Sequence, residues 1–106
     1  MRSATGRADG PRAAMELLGQ RWMLRIVWEL EPGPLGFLEL RRRMDNCSSS
    51  MLSVRLQALQ GVDVIVKRAD KAYELTDAGI ELGRALAPLW GWAAGHLDSG
   101  TGSTDR

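Results

Sequence analysis

The sequence predicts a mainly α-helical domain that carries one small β-hairpin between its fourth and last helices. Apolar residues recur at helical spacing through most of the chain, whereas residues 62–75 contain a stretch rich in β-branched residues. A chain of 106 residues, 44% of them hydrophobic, is long enough to bury one core and too short for two domains. We therefore expect one compact domain.

The first half of the chain predicts three helices. A short helix is expected from Pro11 to a stop at Gly19, a second over 21–30, and a third near 36–44. The second helix is the clearest, because its apolar residues repeat at i, i+3, i+4 and i+7. These residues are Met23, Ile26, Val27 and Leu30.

A fourth helix is expected at 48–60, after a tight connection at 45–47. Ser48 is placed to cap it by accepting a hydrogen bond from an N–H of the first turn. Leucines at i, i+4 and i+7 would anchor the helix to the core and leave a polar face outside. The leucines are Leu52, Leu56 and Leu59. The residues expected on the outward face are Ser49, Ser50, Ser53, Val54 and Gln57.

Two short strands and a long helix complete the predicted domain. The strands lie at 62–68 and 72–75 and form a hairpin. Thr76 can serve as the N-cap of the last helix, which runs to about Leu97. A kink is expected at Pro88, because proline removes one helical hydrogen bond.

The ends of the chain differ in composition from its middle. Residues 1–10 and 99–106 are rich in Gly, Ser, Thr, Asp and Arg without periodicity, which predicts disordered tails around a domain at 11–98. The first ten residues are polar, and no apolar run approaches the roughly 20 residues of a membrane span. The cytoplasm is the expected location.

This order of elements predicts a winged helix-turn-helix, a fold in which two short helices joined by a brief turn are followed by a hairpin, the wing. The fourth helix would then enter the major groove of DNA, where small hydroxyls and an amide can approach base edges closely. The alternative is that the serines only cap and solubilise the start of the helix.

The net charge of +1 conceals an uneven distribution. Residues 41–71 carry a net charge of +4, and residues 72–106 carry −3. A local basic block can attract phosphate even in a nearly neutral chain, although cations at a helix C-terminus or on a hairpin also have structural uses. We expect DNA contacts from among the basic side chains of the block. They are Arg41, Arg42, Arg43, Arg55, Lys67, Arg68 and Lys71.

The chain has one cysteine and one histidine. Cys47 has no partner for an intrachain disulfide, and at the start of the fourth helix it is either a redox-sensitive thiol or a small buried residue. It is also far in sequence from His96. Without a metal-ligand cluster or a phosphate-binding glycine loop, the sequence predicts neither an enzyme nor a metal or cofactor.

Four segments carry a recognisable pattern, in the order LLGQRWMLRIVWEL, GPLGFLELRRRM, SSSMLSVRLQAL and YELTDAG. In this order and spacing they resemble the HxlR-type winged helix-turn-helix regulators of bacteria, over the chain from about Ala14 to Leu97. The resemblance implies a homodimeric DNA-binding regulator, usually a repressor, whose first and last helices form the dimer interface. The chain departs from the family pattern in the early position of Gly61, the short wing and the lack of a cysteine before the first helix.

The tryptophans also indicate a dimer. Trp90 and Trp92 lie on different sides of the last helix, and a domain this small can hardly bury both, so we expect a symmetric partner to cover the exposed apolar side. The alternative is one half-exposed tryptophan. The residues expected in the dimer interface are Leu17, Leu82, Leu86, Leu89, Trp90, Ala93 and Leu97.

Two functional hypotheses follow from the sequence. The first is a homodimer that binds double-stranded operator DNA with inverted half-sites about one helical turn, roughly 10 bp, apart. The second is a winged-helix module that binds another protein and not DNA. A small-molecule or redox effector is compatible with the first hypothesis, and the sequence identifies none.

Overall fold

The computed structural model describes residues 2–97, and side chains from residue 9 onward. Within that part of the chain the elements are α1 (Arg2–Leu18), α2 (Met23–Leu30), α3 (Phe37–Arg43), α4 (Ser49–Gly61), β1 (Ile65–Lys67), β2 (Tyr73–Leu75) and α5 (Asp77–His96). This order confirms the predicted mainly helical fold with a two-stranded antiparallel hairpin. No helix in the described region has the length and apolar character needed to cross a bilayer.

The first helix begins earlier than predicted. We expected a disordered tail at 1–10 and a helix from Pro11, but α1 starts at Arg2 and continues through Pro11. The prediction relied on the preference of proline for the first turn of a helix, where its missing N–H would have no partner. Here the ring lies inside the helix and removes one backbone hydrogen bond. The tail expected at 99–106 lies outside the described residues.

The core lies between α2, α3, α4 and the hairpin. The helical spacing identified its main contributors correctly, since the apolar residues predicted for α2 and α4 are all buried. Ile65 and Tyr73 close the core from the hairpin, and Leu40 and Met44 close it from α3. Burying one such aliphatic side chain contributes about 1.5–3 kcal/mol. The three leucines therefore hold α4 firmly, with its other face directed outward.

The hairpin is shorter than predicted. Ile65 pairs with Leu75 and Lys67 with Tyr73, so each strand contains three residues. The first strand starts late because Asp63 adopts a positive φ of 64° just after α4. This left-handed residue turns the chain before extended pairing begins.

A backbone bridge outside the hairpin was not predicted. The N–H of Leu35 donates to the carbonyl of Tyr73 at 3.0 Å, and the N–H of Tyr73 donates to the carbonyl of Leu35 at 2.8 Å. The segment before α3 thus pairs with β2. This pairing fixes the wing to the helix-turn-helix part of the domain.

The start of α5 is joined to the wing. As predicted, Thr76 caps the helix, and its hydroxyl accepts from the N–H of Gly79 at 3.0 Å. The same hydroxyl donates to the carbonyl of Asp63, and the N–H of Thr76 donates to the carbonyl of Val64 at 3.0 Å. One residue therefore holds both the helix start and the base of the hairpin.

Candidate nucleic-acid interface

The start of α4 is stabilised by its serines. Ser48 accepts from the N–H of Met51 at 3.2 Å, which confirms the predicted cap. The hydroxyl of Ser50 lies 3.1 Å from that of Ser48. Part of the serine cluster thus has the structural role that the sequence left open. Ser53, a full turn further on, has no part in the cap.

The outward face of α4 is open to solvent. All five residues predicted for it are exposed, and Val54 is 55% exposed although it is apolar. A small apolar side chain among hydroxyls and an amide offers both contact with a thymine methyl group and hydrogen bonds to base edges. The exposed face is therefore free to make such contacts.

An open groove separates α4 from the wing. Ser53 lines it on one side, and Lys67 and Lys71 line it on the other. The ammonium of Lys67 lies 5.5 Å from the centre of the Tyr73 ring, and Lys71 lies in the hairpin turn with a φ of 73°. Neither lysine forms an ion pair with any residue that the structure describes. Both charges therefore remain available to an anionic partner.

Arg68, the third cation predicted on the wing, is arranged differently. Its guanidinium lies 3.2 Å from a carboxylate oxygen of Asp70 and 3.5 Å from one of Glu74. The wing therefore presents two uncompensated lysines beside one compensated arginine.

The three arginines of α3 make contacts within the protein. Arg41 donates to the carbonyl of Cys47 and so supports the turn into α4. Arg42 and Arg43 both pair with Glu39, Arg43 at 2.9 Å. The hydrogen bond from Arg43, helped by the charges of Arg42 and Arg43, holds the pKa of Glu39 below its ordinary value. Ion pairs between exposed side chains are weak, so a phosphate can compete with Glu39 for Arg42 and Arg43.

Arg55 also has an intramolecular partner. Its Nε donates to the carbonyl of Arg21 at 2.9 Å, which ties α4 to the segment between α1 and α2. From its sequence, Arg55 was expected to contact phosphate, and no contact was expected from Arg21. Arg21 is exposed and lies beside α4. The feature of the sequence that could have drawn attention to Arg21 is its place directly before Trp22, because an arginine can stack on a neighbouring aromatic ring.

Comparisons with known proteins agree with this geometry. The model of the HxlR-like helix-turn-helix family matches residues 17–101. The chain belongs to the HxlR family. The HTH-type transcriptional regulator YvaP of Bacillus subtilis is 34% identical over 96 residues, which cover 80% of this chain and 84% of YvaP. The crystal structure of quinone-bound YodB from B. subtilis matches with a TM-score of 0.74 at 30% identity, covering 79% of this chain and 93% of that one.

A second relative leads to the same functional class. The uncharacterized HTH-type transcriptional regulator YtcD of B. subtilis is 31% identical over 98 residues, which cover 87% of this chain and 78% of YtcD. This HxlR-family protein is therefore a helix-turn-helix transcriptional regulator and not an enzyme, and its family implies that it binds DNA.

Cys47 lies inside the domain. It is 8% exposed and belongs to the core cluster around α4. This position favours the interpretation as a small buried residue over that as a redox-sensitive thiol, because reactive thiols need solvent access. Among the side chains that the structure describes, no three His, Cys, Asp or Glu residues converge as metal ligands would.

The residues predicted for a dimer interface fall into two groups. Leu17, Leu82 and Leu86 are half-buried and pack against the core of their own domain. Leu89 and Leu97, by contrast, are 42% and 64% exposed. Trp90 and Ala93 are half-buried. In the single chain, therefore, Leu89 and Leu97 are the most exposed of the predicted interface residues.

The uncovered residues form part of a continuous apolar surface on α1, α2 and α5, here called the α1–α5 face. Three shallow grooves follow one another along it. The middle groove shares Leu24 with the groove toward α1, and it shares Trp28 and Trp90 with the groove toward the end of α5. The rings of Trp28 and Trp90 meet edge to face, with centroids 5.3 Å apart and planes at 81°. The apolar residues that line the face are Ala14, Met15, Leu18, Leu24, Trp28, Leu86, Leu89, Trp90, Ala93, Ala94 and Leu97, and Gly19 and Arg25 complete the lining.

Proposed function

We propose that this regulator is a homodimeric repressor that reads an inverted-repeat operator through α4. The observation that carries the proposal is the exposed face of α4 beside the two uncompensated lysines of the wing, Lys67 and Lys71. The helix face would read base edges, and the lysines would contact phosphate. Repression is the usual mode of the family that the sequence resembles.

The dimer is supported by the α1–α5 face. On this face Met15, Trp28 and Leu97 are each 47–72% exposed. Soluble monomers rarely leave a long contiguous apolar surface uncovered, and a second copy related by two-fold symmetry would cover it on both chains at once. Two copies of α4 would then meet inverted half-sites about one turn of DNA, roughly 10 bp, apart or at a multiple of that distance.

The wing lysines give the proposal its first test. We expect Lys67→Gln and Lys71→Gln each to weaken binding to DNA of any sequence, because each change removes a phosphate contact. Each should also reduce the slope of log affinity against log salt concentration by about 1. Fluorescence anisotropy with a labelled duplex measures both quantities.

Arg84→Gln is the matched control, since it removes one exposed charge from α5 at a residue that does not line the groove between α4 and the wing. Its slope should equal that of the wild type. If the wild-type protein failed to bind random and genomic DNA at low salt, that result would favour the second hypothesis, in which the winged helix binds another protein and not DNA.

A further inference from the structure

We propose that Arg21 is a DNA-phosphate contact on the flank of α4 opposite to the wing. The inference rests on the proposed function, in that α4 must lie in the major groove. It concerns a residue that belongs neither to the helix-turn-helix nor to the wing.

The position of Arg21 is fixed by its backbone. Its carbonyl accepts from Nε of Arg55 at 2.9 Å, and Arg55 projects from α4. The next residue, Trp22, is the N-cap of α2 and has a left-handed backbone with φ 79° and ψ −10°. Trp22 is half-buried against the core. A bulky residue in this region of φ and ψ is strained by about 1–3 kcal/mol and persists only where its surroundings hold it. The segment is therefore held in one conformation beside α4.

Helix geometry places Arg21 on the side of α4 away from the wing. Successive residues of an α-helix are rotated by about 100°, so Ser53 and Arg55 point about 200° apart around the helix axis. Ser53 lines the groove toward Lys67, whereas Arg55 holds the carbonyl of Arg21. The exposed residues Val54 and Gln57 project between these two flanks. The reading face of α4 thus has lysines on one border and Arg21 on the other.

The side chain of Arg21 is available for a phosphate. It is exposed, and its guanidinium lies 5.1 Å from the centre of the Trp22 ring, a stacking that orients it without neutralising its charge. No carboxylate of residues 9–97 pairs with it, in contrast to Arg42, Arg43 and Arg68. A helix about 10–12 Å wide fills the major groove and lies between two phosphate backbones. A cation on either flank can therefore reach a phosphate, and Arg21 supplies the one on the flank opposite to the wing.

The test compares Arg21→Gln and Arg21→Lys with the wild type in anisotropy titrations of a labelled random duplex at several salt concentrations. Arg55 bonds to the backbone of Arg21, so both variants keep that contact. The salt slope is the slope of log affinity against log salt concentration. We expect Arg21→Gln to reduce its magnitude by about 1, and Arg21→Lys, which keeps the charge, to stay close to the wild-type value. Thermal unfolding should be the same for all three proteins.

The wing variant Lys67→Gln and the control Arg84→Gln distinguish failure of this inference from failure of the proposed function. In one outcome Lys67→Gln lowers the salt slope, but Arg21→Gln has the same slope as the wild type and Arg84→Gln. That result would overturn the role of Arg21 and leave DNA reading by α4 intact. Absence of binding by the wild type would overturn both. A reduced slope in Arg21→Gln with unchanged unfolding supports the inference.

Discussion

Gly79→Ala is expected to destabilise the domain by about 3 kcal/mol and to weaken DNA binding through the wing. A Cβ at this position would lie 2.1 Å from the carbonyl oxygen of Val64 and 3.1 Å from carbons of the Leu75 side chain. That carbonyl cannot yield easily, because it accepts from the N–H of Thr76 at the junction of wing and α5. Overpacking typically costs about 1–3 kcal/mol, and a clash with backbone belongs at the upper end of that range.

Two other glycines of α5 provide the control for this variant. A Cβ at Gly91 or Gly95 would meet nothing within 4 Å. Alanine there should stabilise the helix by about 0.5–1 kcal/mol, because glycine loses more backbone entropy on folding. Urea unfolding at one fixed protein concentration gives the free energies, and anisotropy gives the affinity for DNA. Equal stability of Gly79→Ala and wild type would contradict the close packing of α5 on the wing.

Leu89→Glu is expected to dissociate the dimer and to remove most of the affinity for a two-half-site operator. Leu89 lies on the α1–α5 face in a groove with Met15 and Leu86. Burying an unpaired carboxylate costs several kcal/mol, and a two-fold interface would bury it twice. The dimer dissociation constant should rise at least about a thousandfold, since each 1.4 kcal/mol corresponds to a factor of ten. Sedimentation velocity measures the change.

The fold of the monomer should survive this substitution, because Leu89 is 42% exposed in the single chain. Circular dichroism should show unchanged helix content, and weak binding to an isolated half-site should persist. Gly95→Glu is the control, since it adds the same charge to α5 at a position in open space away from the α1–α5 face. A Leu89→Glu protein that remained dimeric would show that the interface lies elsewhere.

Features that depend on local spacing could be predicted from the sequence. The buried leucines of α4 follow from their repeat alone, because helical geometry decides which residues share a face. The caps at Ser48 and Thr76 were equally accessible, since each hydroxyl bonds an N–H three residues ahead. The fold class and family followed from the order of such local features.

Features that depend on contacts between distant residues could not be predicted in this way. Arg55 was assigned to phosphate, but it bonds a carbonyl 34 residues away in the chain. The bridge between Leu35 and Tyr73 likewise joins two segments that no periodicity links. A basic residue in the sequence is only a candidate for DNA contact, because its partner within the fold decides whether the charge is free. Lys67 has no ion-pair partner among the described residues, whereas Arg68 would have to exchange Asp70 and Glu74 for a phosphate.

The central claim, that α4 reads DNA as part of a symmetric dimer, is tested most directly by selecting bound fragments from a random pool of double-stranded DNA. We expect an enriched inverted repeat whose half-sites lie about 10 bp apart or at a multiple of that spacing. Selection with Gln57→Ala should yield the same spacing with a changed base preference inside each half-site. Enrichment of one unrepeated site, with the same bases selected by Gln57→Ala, would contradict both the symmetry and the reading role of α4.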